Sequence, residues 1–387
     1  MSHMTYLEAS VVGLIQGVTE LFPVSSLGHN VLIPALVGGS WAADLNVATS
    51  ESPYLAFIVG LHVATAIALM IYFWRDWVRI IGGFFTSIRD REIKTVDQKL
   101  AWMIILATIP VGLVGLKFEH PFRVLFGDPI RAAIFLVVNG VILFAGEKLR
   151  TRKSLAADEA LAAEAGGHPT AGVTTAGVTT SRAASAATPA AATAGAPTPA
   201  AALPGAPTPA AALPGGAAPA GSIRGNATPA AAAPGTAMHA SGQRAARQME
   251  AARGIQADNR LVSKGYWEAL AIGSAQILAL FAGISRDGVV MVAGMFRGLS
   301  RQDAARFSFL LSTPVIFAAG ALKVGDLTGP LANGIRGQVL VGSILSGVGA
   351  YVSVRFLVRY FRTRTLTPFA VYCMLFGLAS IIYLSVK

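Results

Sequence analysis

Six apolar runs, each close to the length that crosses a bilayer, constrain this chain more than any other feature. They cover roughly 54–74, 100–116, 130–147, 305–323, 336–354 and 367–385, and a helix needs about 20 residues to cross the hydrocarbon core. Backbone N–H and C=O groups find no water there, so the runs are predicted to be helices and the fold class all-α integral membrane. Charge content agrees: 13% of the 387 residues are charged, against about 25% in soluble domains. The net charge of +11 would suit nucleic acid if it formed one patch. The basic residues instead fall mostly between apolar runs, the pattern of cytoplasmic loops, so no nucleic-acid partner is expected. Cys373, the only cysteine, lies inside an apolar run, which excludes an intrachain disulfide and a cysteine-based metal site. The N-terminus lacks the pattern of a cleaved signal peptide, and the spans themselves are expected to direct insertion.

Two further apolar segments, 5–38 and 266–298, are interrupted by Pro, Gly and Ser. Each is too broken for one clean span and too short for two. Irregular backbone at membrane depth survives only where protein or a wet cavity satisfies it, so both read as re-entrant helical hairpins. Sliding the sequence by 260 residues superposes them: Tyr6, Glu8, Ala9, Gly13, Gln16, Ser25 and Gly28 meet Tyr266, Glu268, Ala269, Gly273, Gln276, Ser285 and Gly288. Three spans follow each hairpin, which gives one membrane repeat over 1–150 and a second over 261–387. Between them, 151–260 is rich in Ala, Pro, Gly and Thr, carries APTPAAALPG twice in succession, and has no aromatic residue between Phe144 and Tyr266. Such a tract cannot bury enough apolar surface to offset its ordering entropy. It reads as a disordered linker with short helices near its ends.

Charge sets the orientation. Arg75, Arg79, Arg89, Arg91, Lys94 and Lys99 mark the 75–99 loop as cytoplasmic. Lys148, Arg150, Arg152 and Lys153 do the same for the linker, and Arg355, Arg359, Arg362 and Arg364 for the last loop. These assignments agree with six spans plus two hairpins that do not cross, and they leave the C-terminus outside. Three spans then separate the hairpins, so the repeats have inverted topology.

The hairpins also hold the reactive side chains. Gln16 and Glu20 are four residues apart, on one helix face, and Pro23 ends that helix before Ser25, Ser26, Gly28 and His29. A carboxylate at membrane depth is costly, which makes Glu20 a functional candidate. The bland alternative is a Glu satisfied by nearby hydroxyls and amides that locks the hairpin tip. In the second hairpin, Gly283 and Gly288 bracket Ser285, Arg286 and Asp287 in a turn that leads into a helix. Backbone N–H groups at a helix start bind anions, and Arg286 adds a donor fork suited to phosphate. A structural Arg286–Asp287 pair is the alternative there. Together the tips offer a hydroxyl nucleophile, an acid–base pair, a hard-cation ligand and an anion cradle, the parts that phosphoryl transfer needs. Ser26 requires a base, and Glu20 and His29 are close in sequence. For His29, a purely structural role stands beside the catalytic one. Gln16 and Glu20 supply oxygens of the kind Mg2+ or Ca2+ prefers, and phosphate oxygens would complete such a site.

The segments QGVTELFPVSSLGH and AGISRDG resemble the two signature motifs of the bacterial undecaprenyl-diphosphate phosphatases, the bacitracin-resistance family. AARFSFLLSTPV (304–315) is a further matching stretch, and the resemblance excludes the linker. The resemblance implies six spans with two re-entrant hairpins, multi-pass in the bacterial cytoplasmic membrane, with the motifs meeting in a cavity open to the outer side. It implies removal of one phosphate from undecaprenyl diphosphate, which returns the carrier to cell-wall synthesis. Membrane lipids surround such a protein, and the family often forms homodimers. Carried over, the Glu/Gln-x-x-x-Glu element falls on Gln16 and Glu20, the serine pair on Ser25 and Ser26, the histidine on His29, and the Ser-Arg on Ser285 and Arg286. Ser26 is then the expected nucleophile, Glu20 or His29 its base, and a divalent cation at Glu20 and Gln16 the expected cofactor. Arg286, Ser25, Ser285, Gly283 and Gly288 would hold the diphosphate. Direct attack by water, with Ser26 only a ligand, stays open.

Three departures from the family pattern are Ala282 for a proline, Asp287 for a second serine and Val290 for a threonine. The last two remove hydroxyls, and Asp287 is expected to bring a carboxylate near the bound anion. Two rival readings follow. A lipid flippase or transporter would use the same inverted-repeat architecture, and a catalytically dead paralogue would account for Asp287 and Val290.

Overall fold

The computed structural model describes residues 4–45, 53–166, 248–249, 251–323, 325, 329 and 334–387. Among them every regular element is helical. Five helices are long and apolar enough to cross a membrane: Val96–Phe118, Pro129–Arg152, Arg301–Leu322, Arg336–Tyr360 and Thr367–Val386. A sixth is reached if a bent pair counts as one span. That pair joins α4 (Pro53–Tyr72) to α5 (Trp74–Asp90) at 88°. Residues Met1–Ala163 and Gln243–Lys387 cluster as one compact unit.

The first hairpin is α1 (Tyr6–Thr19) and α2 (Ser26–Val37). A capping box starts α1: Thr5 Oγ1 accepts from the Glu8 N–H at 3.2 Å, and Glu8 Oε2 accepts from the Thr5 N–H at 2.7 Å. The helix stops at Thr19, ahead of Pro23, which offers no N–H and disfavours a helical residue before it. Ser25 caps α2 with its side chain, and a short helix, α3 (Gly39–Asp44), follows. The second hairpin is α9 (Tyr266–Ser274), a 3-10 turn over Ala275–Leu280, and α10 (Arg286–Phe296). At 14, 12, 9 and 11 residues, none of the hairpin helices reaches the roughly 20 residues of a span.

The remaining elements are α6 (Val96–Phe126), α7 (Pro129–Gly166), α8 (residues 251–262), α11 (Arg301–Leu322), α12 (Arg336–Tyr360) and α13 (Thr367–Val386). Both ends of the predicted linker are therefore helical, the first as an extension of α7 and the second as α8. The expectation of disorder falls on 167–247, which lie outside the described residues.

The 75–99 loop is the clearest difference from the sequence reading, because most of it is the helix α5. Trp74, Val78, Ile81, Phe85 and Ile88 are all exposed, and their spacing of four and three residues makes one apolar stripe. Trp77, Ile80 and Gly83 face the protein. Basic residues at its ends hid this amphipathic pattern.

Packing is inside-out relative to a soluble bundle. On α12, Leu340, Ile344, Val348 and Val352 are exposed, while Gly342, Ser346, Gly349 and Ser353 are buried. Small residues inside let helices approach closely, which is how helices associate in lipid. Each hairpin uses this against the other half of the chain. A Cβ on Gly13 of α1 would lie 2.5 Å from the carbonyl oxygen of Gly342 on α12, and one on Gly273 of α9 would lie 2.5 Å from Ala107 Cβ on α6. Gly13 and Gly273 are themselves a pair in the 260-residue register. We predict that Gly13→Val and Gly273→Val each destabilise the protein by about 1–3 kcal/mol through overpacking. Gly112→Ala, where an added Cβ meets nothing within 4 Å, should be neutral or stabilising. Thermal unfolding in detergent checks the contrast, and equal effects at all three positions would contradict it.

Candidate active site

The two hairpin tips meet, and one carboxylate joins them. Glu20 is the C-cap of α1 and is buried. Its Oε2 accepts from Gln16 Nε2 at 2.9 Å and from Ser26 Oγ. Its Oε1 accepts from Arg286 Nη2 of the second hairpin. His62 Nε2 of α4 lies 3.3 Å from Oε2, while His62 Nδ1 bonds the Ile58 carbonyl at 2.8 Å. So four donors converge on Glu20: an amide, a hydroxyl, a guanidinium and an imidazole. That surround is what keeps a buried carboxylate affordable. It also aims the Ser26 hydroxyl, since Ser26 opens α2.

A frame of smaller bonds holds the tips together. Ser25 has φ 68°, a backbone region that non-glycine residues seldom occupy. Its Oγ accepts from Gly28 N at 3.3 Å within its own hairpin and from Gly283 N at 3.2 Å in the other. Gly28 and Gly283 must be glycine for this approach, because a Cβ on Gly28 would lie 2.9 Å from Gly283 Cα. Asn139 of α7 clamps the other side: Nδ2 donates to the Pro23 carbonyl at 3.0 Å, and Oδ1 accepts from Ser285 N at 3.0 Å. Ser285 caps α10 by accepting from Gly288 N at 3.1 Å.

The sequence candidates thus divide. Gln16, Glu20, Ser26 and Arg286 come together. Ser25, Ser285, Gly283 and Gly288 build the frame, and the N–H groups of Gly283 and Gly288 are already spent on the two serine hydroxyls. His29 turns away from Glu20: its Nδ1 bonds the Ser25 carbonyl at 2.7 Å and its Nε2 the Tyr372 hydroxyl at 2.8 Å, with Phe376 stacked on the ring. Asp287 has partners on α11. Its Oδ1 accepts from Ser308 and Ser312 at 2.7 and 2.6 Å, so it anchors α10 to α11. Val290 is buried among apolar neighbours. His62, Asn30 and Asn139 were missed. An ionisable side chain in the middle of an apolar run is a signal, and His62 carried it.

Three buried atoms near the site, among the described residues, lack a partner: Arg286 Nε, Asn30 Oδ1 and Asp287 Oδ2. Orphaned buried donors are rare and call for an acceptor. Arg286 Nε is such a donor, half of the guanidinium fork that matches a phosphate. Asn30 reaches the same cluster, since its Nδ2 donates to Gln16 Oε1 at 2.6 Å. A divalent cation would find Glu20, Gln16 and the idle Asn30 oxygen. No group of three or more His, Cys, Asp or Glu is arranged for a metal among the described residues. This oxygen-rich donor set fits a hard cation only when phosphate oxygens share it.

The chain matches the family model described as bacitracin resistance protein BacA over residues 9–202 and 231–379. Relatives named undecaprenyl-diphosphatase include one from Mycolicibacterium paratuberculosis, 48% identical over 387 residues, covering 100% of this chain and 99% of the relative. One from Frankia alni is 47% identical over 384 residues, 97% of each chain. A more distant one from Burkholderia orbicola is 32% identical over 367 residues, 95% of this chain and 92% of the relative.

Asn139→Ala removes one side chain and strands two buried backbone groups, one on each hairpin. The expected loss is about 1–3 kcal/mol, read as a lower unfolding midpoint in detergent. An unchanged midpoint would contradict the clamp.

Proposed function

Because the chain belongs to the bacitracin resistance protein BacA family, we infer that it is an undecaprenyl-diphosphate phosphatase. It hydrolyses undecaprenyl diphosphate to undecaprenyl phosphate and phosphate. That recycles the lipid carrier for cell-wall synthesis and accounts for the family's bacitracin resistance. The observation that carries the chemistry is the meeting, at Glu20, of a serine from one hairpin and an arginine from the other, beside a guanidinium N–H with no acceptor.

The site has a resting arrangement that substrate would disturb. Arg286 pairs with Glu20, which weakens Glu20 as a base. Diphosphate oxygens would take the guanidinium, including its idle Nε. Glu20 then becomes the stronger base toward the Ser26 hydroxyl that already donates to it. Ser26 Oγ attacks the terminal phosphorus, its proton passes through Glu20 to the leaving oxygen, and undecaprenyl phosphate departs. Water then hydrolyses the phosphoseryl ester, with Glu20 again as base and Ser26 regaining its proton. His62 is a positioning residue that fixes the carboxylate from the α4 side, and His29 steadies Ser25 and the start of α2. A divalent cation, when bound by Glu20 and Gln16 together with the substrate, would supply charge neutralisation.

The membrane arrangement is part of the same proposal. Six spans and two re-entrant hairpins form an inverted repeat, supported by the reciprocal contacts of Gly13 with α12 and Gly273 with α6. The basic 75–99, linker and 355–364 segments support a cytoplasmic linker and a C-terminus outside, while a site open to the outer face belongs to this reading through the family resemblance alone. A homodimer belongs to this reading through the family resemblance alone.

With purified protein and undecaprenyl diphosphate, Glu20→Gln, Ser26→Ala and Arg286→Ala should each lower kcat/KM by about 100-fold or more. Arg286→Lys should restore little, because the fork is lost. His29→Gln should cost clearly less than Glu20→Gln. Phosphate release at wild-type rates from the Glu20 and Arg286 variants would overturn the assignment.

A further inference from the structure

One neutral side chain, Asn30, stands directly behind the partners of Glu20. Ser26 and Asn30 are four residues apart on α2, as Gln16 and Glu20 are on α1, so each pair shares one helix face. The two faces meet rung by rung. Ser26 Oγ donates to Glu20 Oε2, Asn30 Nδ2 donates to Gln16 Oε1 at 2.6 Å, and Gln16 Nε2 donates to Glu20 Oε2 at 2.9 Å. All four side chains are buried, and all three bonds run toward the carboxylate.

That common direction has a cause. An ionised carboxylate can only accept, which sets the Gln16 amide with its NH2 toward Glu20 and its oxygen toward α2. The oxygen then needs a donor, and Asn30 supplies it. With its own NH2 turned to Gln16, Asn30 has an oxygen left over, and Asn30 Oδ1 is indeed a buried atom without a partner. Buried polar atoms are seldom left so, and here the polarity of the ladder accounts for one. The backbone of Asn30 is fixed as well. Pro34 lies four residues on, inside α2, and lacks the N–H that would meet the Asn30 carbonyl. Tyr54 of α4 donates to that carbonyl instead, at 3.2 Å. Asn30 is thereby pinned to the helix from which His62 reaches Glu20.

We propose that Asn30 is a positioning residue for the hydrolysis, holding the Gln16 amide so that its NH2 faces Glu20 and keeps the carboxylate aimed at Ser26 Oγ. The proposal rests on the hydrolytic assignment and adds a residue that acts only through Gln16. Without the Asn30 donor, Gln16 can turn its oxygen to Glu20. Two acceptors then face each other, and the carboxylate is pushed from its place beside the serine.

Steady-state hydrolysis of undecaprenyl diphosphate by purified full-length protein tests it. Asn30→Leu is similar in size but has no donor. It should lower kcat about tenfold or more, part of what a general base contributes. KM should stay within about twofold, because the phosphate contacts of Arg286 are untouched. In a Gln16→Leu background the same change should cost less than about threefold, since the group it acts through is gone. Losses that multiply would make Asn30 a structural residue and overturn the proposal.

Asn30→Asp keeps the shape and makes the donor depend on pH. Its protonated carboxyl can donate to Gln16, and its ionised form can only accept. Buried carboxyls titrate as high as about pH 8–9, so kcat relative to wild type should fall about tenfold or more between about pH 6 and pH 9. Glu20 on α1, His29 on α2, Tyr54 and His62 on α4, and Arg286 and Asp287 on α10 surround the ladder. They titrate in wild type too, and the ratio cancels them. A flat ratio would overturn the proposal, and this variant decides it should Asn30→Leu fail to fold. Wild-type protein that releases no phosphate would overturn the hydrolysis and this proposal together. An active wild type with an indifferent Asn30→Leu would overturn this proposal alone.

Discussion

A buried carboxylate must find donors or lose its charge, and in this protein Glu20 finds them on four separate helices. Gln16 and Ser26 flank it in sequence, His62 reaches it from α4, and Arg286 arrives from the far end of the chain. Removing one partner of such a cluster leaves charge unpaired in a poor solvent, which costs far more than a surface pair would. The convergence therefore pins the first hairpin, α4 and the second hairpin to one another. The same geometry places a hydroxyl against a carboxylate and a guanidinium beside both. Stability and chemistry draw on one set of bonds.

Small residues make that convergence reachable. Gly13 lies against Gly342, Gly273 against Ala107, and Gly28 against Gly283, so the hairpins sink into the bundle until their tips touch. Lipid offers no hydrophobic gain for driving helices together, and close packing supplies the attraction instead. Ser25 and Asn139 then spend their polar atoms on backbone groups that the broken helices leave open. The irregular tips survive because protein satisfies them, the condition for non-helical backbone at membrane depth. Divergence between the repeats is complementary: the first keeps the acid and the nucleophile, the second the cation.

Much of this was legible in the sequence, and the reason differs by residue. Apolar runs and their breaks are local properties, so the all-helical architecture and its long apolar helices could be read directly. The pairing of Gln16 with Glu20 follows from helical spacing, and Ser26 and Arg286 follow from motif resemblance. His62 was not found, because its contact with Glu20 depends on how α4 rotates against α1, which spacing alone does not fix. Asn139 was hidden for the same reason, lying in an otherwise apolar run. Asp287 looked like a threat to the anion because it adjoins Arg286. In a helix, adjacent residues point about 100° apart, and Asp287 turns to Ser308 and Ser312. His29 turns likewise, from Ser26 toward Tyr372. The helix α5 was read as a loop because its charged ends outweighed a stripe that is apolar on one face only.

The central claim is that residues from the two halves work as one unit at Glu20. A double-mutant cycle on kcat/KM for undecaprenyl diphosphate hydrolysis, using Glu20→Gln and Arg286→Ala singly and together, tests it most directly. Groups that act as a unit are strongly non-additive, so the double variant should be no more than a few-fold worse than the poorer single variant. Losses that multiply, with the double variant falling by the product of the two single effects, would contradict a shared site.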